Sequence, residues 1–238
     1  MVSKLPVSGL PRHGSVQGLI KLPQFLCASV SLCEPQFWLD NVCTIRYIDD
    51  MDNRATLLER ALELFAERGY DAVGVQEICA AAGVTKPTLY HYFGSKRGVL
   101  DTLLAERWAP FVAELAEAAA YTGDLPLTLE RVVESFFGFT RREPVLSRLL
   151  LALWLASPAS EAVQAAAALQ AERLQVLEEL FVWAARDHGN MRGRERTYAA
   201  TFMGMIHTHV GLALNHGMRL DDEVARRAVH QFSHGIYS

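Results

Sequence analysis

Residues 74–100 read GVQEICAAAGVTKPTLYHYFGSKRGVL, and the order of small, branched, cationic and aromatic residues in this run decides the fold. Ile78 and Cys79 lie on a short helical segment, 75–82, which Gly83 closes after Ala80, Ala81 and Ala82. Glycine tolerates the positive φ that a sharp reversal demands. Thr85 stands where a helix N-cap belongs. Pro87 suits the first turn of a helix over 86–92, since an amide there has no intrahelical partner to lose. Two short helices joined this tightly leave little room between them, and Ile78, Cys79 and Leu89 are small or branched enough to fill it. The spacing predicts a helix-turn-helix, whose second helix enters a DNA major groove.

The outer face of that second helix carries the chemistry. Over 84–98 there are three fixed cations, Lys86, Lys96 and Arg97, and three aromatics, with no carboxylate, in a chain of formal net charge −4. Thr85, Lys86 and Thr88 lie at the N-terminal end, the part that approaches base edges, while Tyr90, His91 and Tyr92 reach toward phosphates. Ser95 is the expected cap of the next helix. The amide-rich start of that helix, flanked by Lys96 and Arg97, forms a second phosphate site.

Taken together, GVQEICAAAGVTKPTLYHYFGSKRGVL resembles the DNA-binding signature of TetR-type transcriptional regulators, over about residues 53–100. The resemblance implies base readout by Thr85, Lys86, Pro87 and Thr88, with phosphate contacts from Gln76, Tyr90, His91, Tyr92 and Lys96. Two positions depart from the family pattern. Gly74 stands where Ser or Thr usually caps the helix and touches phosphate; glycine caps nearly as well but brings no hydroxyl. Cys79 replaces the usual alanine, and a cysteine on an apolar helix face reads as packing rather than as a redox sensor.

Working outward, Leu58, Ala61, Leu62 and Phe65 recur at helical spacing, with Asp52 and Asn53 as caps and Gly69 as the stop. A longer helix is expected over 96–120, and further helices near 126–141, 144–156, 159–187, 194–216 and 221–236, separated by Gly, Pro or Asp-rich breaks. The fold class is therefore all-α: an N-terminal three-helix helix-turn-helix domain at 51–98, then a helical effector-binding and dimerisation bundle at 99–238, linked by the helix over 96–120. Residues 1–50, with prolines at 6, 11, 23 and 35 and no helical period, read as a disordered extension, or as sequence upstream of a true start at Met51.

Composition narrows the function. A mildly acidic chain does not coat nucleic acid indiscriminately, so any contact with DNA is local. No apolar run reaches the roughly 18 residues that span a bilayer, and Lys21 and Pro23 interrupt the one candidate secretory segment. Four cysteines without a CxxC pair suit neither a disulfide framework nor a zinc site, and point to the cytoplasm.

By the resemblance, the larger half is a ligand-binding and dimerisation domain. Phe139, Trp154, Trp183, Met203 and His207 are the candidates for lining a cavity between its helices. No metal is expected: His230 and His234 share a helix face but lack further ligands, and His207 and His209 point apart. No cofactor motif occurs either, since HGNMRGRER at 188–196 lacks the spacing of a phosphate loop. Ala200, Gly204, Thr208 and Gly211 form a small-residue stripe on which another helix can pack closely, either within one chain or, as the resemblance implies, in a homodimer through 194–216 and 221–236. The expected function is a homodimeric repressor, released from a palindromic operator by a small-molecule effector. The alternative is a helical small-molecule-binding protein or enzyme without DNA-binding function. No paired carboxylates and no Ser, His and Asp set support catalysis.

Overall fold

The computed structural model describes the backbone of residues 36–235 and side chains from residue 52 onward. The expectation for residues 1–35 lies outside the described residues. The described residues from Cys43 onward form one compact unit, which holds both the helix-turn-helix and the bundle. Every regular element among the described residues is helical.

Helix α1, Gln36–Arg68, begins well before the expected start at Asn53. No Gly or Pro interrupts the sequence between Pro35 and Gly69. Asp52 and Asn53 thus lie inside a continuous helix and do not cap one. Gly69, at φ 82°, ends it by accepting the left-handed conformation. Helices α2, Val75–Ala82, and α3, Lys86–Phe93, come next, and α4, Lys96–Leu103, starts at Ser95, whose Oγ accepts from the Gly98 amide at 2.9 Å. Leu58, Leu62 and Phe65 of α1, Ile78 and Cys79 of α2, and Leu89 of α3 are buried with at most 3% exposure, in a core continuous with that of the bundle. Burying each large side chain contributes roughly 1.5–3 kcal/mol.

The single helix expected over 96–120 is three pieces. After α4 the chain widens into a five-residue π-helical segment, Leu104–Trp108, in which the Ala109 amide donates to the Leu104 carbonyl, before α5, Ala109–Ala118. Pro110 supplies the reason: it has no N–H, and in an α-helix its ring would meet the carbonyl of Glu106. A π turn accommodates both problems without ending the helix.

Beyond it lie α6, Leu125–Arg142, α7, Pro144–Leu155, and α8, Glu161–Asp187. A 3-10 turn, Gly189–Met191, leads to α9, Glu195–His216, and α10, Asp222–His234. Asp124 and Asp221 cap α6 and α10, each accepting an amide at 3.0 Å. Helix α8 runs along α9, α10 lies against α6, and α5 is held between α6 and α8. Phe181, Phe202 and Phe232 tie α8, α9 and α10 together through ring contacts. Helix α4 packs on α8, and this contact sets the helix-turn-helix against the bundle.

Candidate nucleic-acid interface and sensor cavity

The reversal between α2 and α3 is built as the sequence predicts. Gly83 adopts φ 68°, and the Gly83 and Val84 amides donate to the Ala80 and Cys79 carbonyls at 3.3 and 3.0 Å. At the other end of α2, Gly74 is an extended N-cap without a hydroxyl, and Glu77 does the capping from within: its Oε2 accepts from the Gly74 amide at 2.8 Å. Its Oε1 accepts from Arg68 at 2.7 Å. The Gly74 amide and then Arg68 hold this carboxyl below its usual range.

Thr85 occupies the N-cap position of α3 but does not cap it. Its hydroxyl pairs with that of Thr88 at 2.9 Å. Pro87 is the cause in part, because it removes one of the two amides a capping hydroxyl reaches. Gln76, Thr85, Lys86, Pro87, Tyr90 and His91 are exposed, while Thr88 and Tyr92 are half-buried. Leu89 and Phe93 point the opposite way, into the core. Lys86 therefore stands at the start of α3 beside two threonines, with the aromatic rings one turn further on. This is the arrangement that base edges followed by phosphates require.

The remaining two cations are placed differently. Lys96 Nζ donates to the carbonyls of Tyr70 and Val73, each at 3.0 Å, and sits 4.0 Å from the Tyr70 ring centre. One N–H of the ammonium is left over. Arg97 Nε donates to Asp101 at 2.8 Å, and its Nη1 reaches the Glu161 carbonyl at 3.5 Å, on the first residue of α8.

Close by, Tyr70 donates to the Glu161 carboxylate, and Ser160 donates to Asp71 at 3.0 Å. Burial first, and the neighbouring Glu161 carboxylate after it, push the Tyr70 phenol well above its ordinary value. The turn after α1 is thereby bonded to the start of α8. A second set of links runs through the π segment: Arg54 of α1 donates to Glu106, and Arg107 donates to Glu59 of α1 and, at 3.5 Å, to Glu143.

Trp108, the last residue of that segment, is fully buried and forms one wall of a half-open cavity lined also by α5 to α9. The cavity is small, with a volume of about 30 Å³. Phe111 and Phe139 stack across it at 4.3 Å. Of the five candidates named from the sequence, Phe139 and His207 line this cavity. Trp154, nearly half exposed, meets the His207 ring edge-on at 4.4 Å and lines a neighbouring groove with Met203. Trp183 is elsewhere, half exposed, under the Arg186 guanidinium at 3.7 Å and over a separate depression beside Tyr121.

Sequence reading missed Arg173, Trp108 and Ser147, which reach the cavity from α8, the π segment and α7. One signal for Arg173 existed. Ala162, Ala166, Leu177, Leu180 and Ala184 make the buried stripe of α8, and Arg173 falls in register with it, a charge where an apolar residue belongs. Among the described residues, no group of three or more His, Cys, Asp or Glu comes together to hold a metal, and no helix is long and apolar enough to cross a membrane.

Comparison with known proteins agrees with this architecture. The family model for bacterial regulatory proteins, tetR family, matches residues 57–103. The HTH-type transcriptional activator FasR of Mycolicibacterium smegmatis is 29% identical over 184 residues, covering 77% of this chain and 82% of FasR. The HTH-type transcriptional repressor KstR2 of Rhodococcus jostii is 37% identical over 84 residues, covering 35% of this chain and 41% of KstR2. Among solved structures, the TetR-family regulator PfmR of Thermus thermophilus is 25% identical with a TM-score of 0.60, covering 76% of this chain and 99% of PfmR.

Proposed function

We infer that this chain, a TetR-type transcriptional regulator, occupies a palindromic operator as a homodimer while ligand-free and leaves it when a small molecule fills the bundle cavity. The observation that carries the DNA half is the Gly83 reversal, which presents Thr85, Lys86, Pro87 and Thr88 at the exposed start of a helix whose opposite face is core. In this reading those four residues meet base edges, and Gln76, Tyr90, His91 and Tyr92 meet phosphates. Lys96 and Arg97 add positive charge at the start of α4.

Two copies are needed because one short helix reads only a half-site. A twofold dimer offers two recognition helices about 34–36 Å apart, or at a multiple of that. Helices α9 and α10 are the proposed dimer face. Ala200 and Thr208 are exposed, and a methyl group added at Gly204 would meet nothing within 4 Å in its own chain. Gly211 departs from the stripe, since the same methyl would lie 3.5 Å from Leu151. The close-packing surface therefore runs over Ala200, Gly204 and Thr208.

The coupling route is the π segment, which touches the cavity through Trp108 and α1 through Glu106 and Arg107. FasR is named an activator and KstR2 a repressor, so relatives carry both signs of regulation. Release is favoured here because side chains already fill most of the cavity, leaving about 30 Å³: a ligand must push its walls apart, and Trp108 moves with the segment that holds α1. A ligand shifts the equilibrium only by its difference in affinity between the two states.

Footprinting on the DNA flanking the protein's own gene, followed by anisotropy titrations on the protected site, tests the reading. A protected palindrome is expected, with an affinity that falls steeply as salt rises. Equal binding to unrelated duplexes, or no binding at low ionic strength, would refute it.

A further inference from the structure

Four polar groups converge on the bundle cavity without a hydrogen-bond partner: Arg173 Nε, Trp108 Nε1, Ser147 Oγ and His207 Nδ1. They come from α8, the π segment, α7 and α9, so no local sequence feature explains their meeting. Arg173 is the decisive member. It is 7% exposed, and no carboxylate lies near enough to oppose the burial that pulls its guanidinium down to about 10. Its guanidinium carbon lies 5.8 Å from the centre of the Trp108 ring. Buried charges in proteins are ordinarily paired, and an isolated one is costly. A row of unpaired donors around an unpaired cation is what an anion site looks like when empty.

We propose that the cavity binds an organic carboxylate, its two oxygens on Arg173 and the Trp108 and Ser147 donors, its apolar body against Phe111 and Phe139. A guanidinium matches a carboxylate as a planar two-point fork, which a neutral polar group cannot reproduce. The site suits a single negative charge. Arg173 is the one fixed cation lining it, and burial keeps the His207 imidazole neutral. A phosphate dianion would be left half-neutralised. The cavity of the free protein, about 30 Å³, lies far below the roughly 300–1,000 Å³ of small-molecule pockets, so the acid enters only as the walls move apart, and a compact acid needs the least movement.

The inference rests on the regulator reading above, and it is tested without DNA. Octanoate and 4-phenylbutyrate are titrated calorimetrically into the full-length protein, beside octanamide and 4-phenylbutanamide, which keep the shape and lack the charge. At least one acid is expected to bind about tenfold or more tightly than its amide. Arg173→Met, which keeps an unbranched apolar side chain, is expected to erase that preference while leaving the free protein at least as heat-stable, since an unpaired buried charge has gone. If Arg173→Met does not fold, Arg173→Lys keeps the cation without the fork and should weaken the acid by about tenfold. Neither acid outbinding its amide, or a preference that survives both substitutions, overturns the proposal. Operator binding by the free protein is measured in parallel: DNA bound but no acid preference removes the carboxylate inference alone, whereas no DNA binding removes the regulator reading whatever the acids do.

Discussion

Lys96 separates two accounts of the start of α4. As a phosphate ligand it would extend into solvent, and its removal would lower the salt dependence of DNA binding by about 0.9 in the log–log slope. The structure instead turns its ammonium onto the Tyr70 and Val73 carbonyls, both at 3.0 Å, and over the Tyr70 ring. Hydrogen bonds to charged groups contribute about 1.5–3 kcal/mol each when well buried, and a half-buried site takes the low end or less. A cation over an aromatic ring adds about 0.5 kcal/mol. Lys96→Met keeps the apolar stem and loses both hydrogen bonds, so a net destabilisation of about 2 kcal/mol is expected. For a chain of this size each kcal/mol lowers Tm by about 2–4 °C, which gives a fall of about 4–8 °C by calorimetry. The salt slope of operator binding should change by less than about half of the single-contact value. A variant as stable as the wild type with a slope reduced by a full contact would refute the staple.

Other expectations come from neighbouring geometry. Gly98→Ala should be among the most damaging single changes in the DNA-binding half, because a Cβ there would lie 1.8 Å from the Phe93 carbonyl oxygen. Backbone has to move, at about 3 kcal/mol or more, readable as a loss of operator binding with a lowered urea midpoint, and a wild-type midpoint would contradict the contact. Tyr70→Phe deletes the hydroxyl that reaches Glu161. It should cost about 1 kcal/mol in urea unfolding and weaken ligand-free DNA binding a few-fold, as the turn between α1 and α2 loses a tie to α8; unchanged affinity would disconnect that tie from function. His207 gives a pH signature. Burial, and behind it the Arg173 charge, push its imidazole down to about 3. Between there and the ordinary histidine value near 6.5, the unfolded chain binds a proton that the folded chain refuses. Stability therefore falls as pH drops through that window, by at most about 1.4 kcal/mol per pH unit. His207→Phe should flatten the decline between pH 6.5 and 4, and parallel curves for variant and wild type would show that His207 titrates normally.

Much of the fold is legible in the sequence, and the boundary is physical. The helix-turn-helix is written in local terms: Gly83 for a left-handed turn, Pro87 for a first turn, Ser95 for a cap, and apolar residues at helical spacing. Each acts over a few residues, so a one-dimensional reading recovers it. Thr85 shows the limit of that reading, since whether a hydroxyl caps its helix depends on competition with Thr88. The π segment needs one more step, recognition that Pro110 deprives Glu106 of its usual partner. The start of α1 escapes a reading that extends the irregular, proline-bearing amino-terminal sequence too far; the last of those prolines, Pro35, precedes a helix with no internal breaker. The cavity is half legible. Phe139 and His207 fall where aromatic and histidine content suggests, but Arg173, Trp108, Ser147 and His207 meet across four elements, and such a meeting is set by packing alone.

The contacts between the DNA-binding helices and the bundle also set how strongly a ligand can act. They combine packing of α4 on α8 with polar ties at the edge: Tyr70 to Glu161, Ser160 to Asp71, Arg54 to Glu106 and Arg107 to Glu59. Solvent-facing ion pairs contribute about 0.2–1 kcal/mol each, and the tyrosine hydrogen bond about 1 kcal/mol. Breaking these ties while the α4–α8 packing stays intact therefore makes available about 1–3 kcal/mol within one protomer. That matches the usual size of coupling between sites and corresponds to about 5–150-fold in DNA affinity. An effector acting only through the π segment should weaken operator binding within that range, and its effect should shrink as salt screens the ion pairs. Titrating operator affinity at saturating effector over a salt series measures both. A loss of several thousand-fold, or one insensitive to salt, would mean that the ligand works by separating the two recognition helices across the dimer rather than by loosening the ties within a chain.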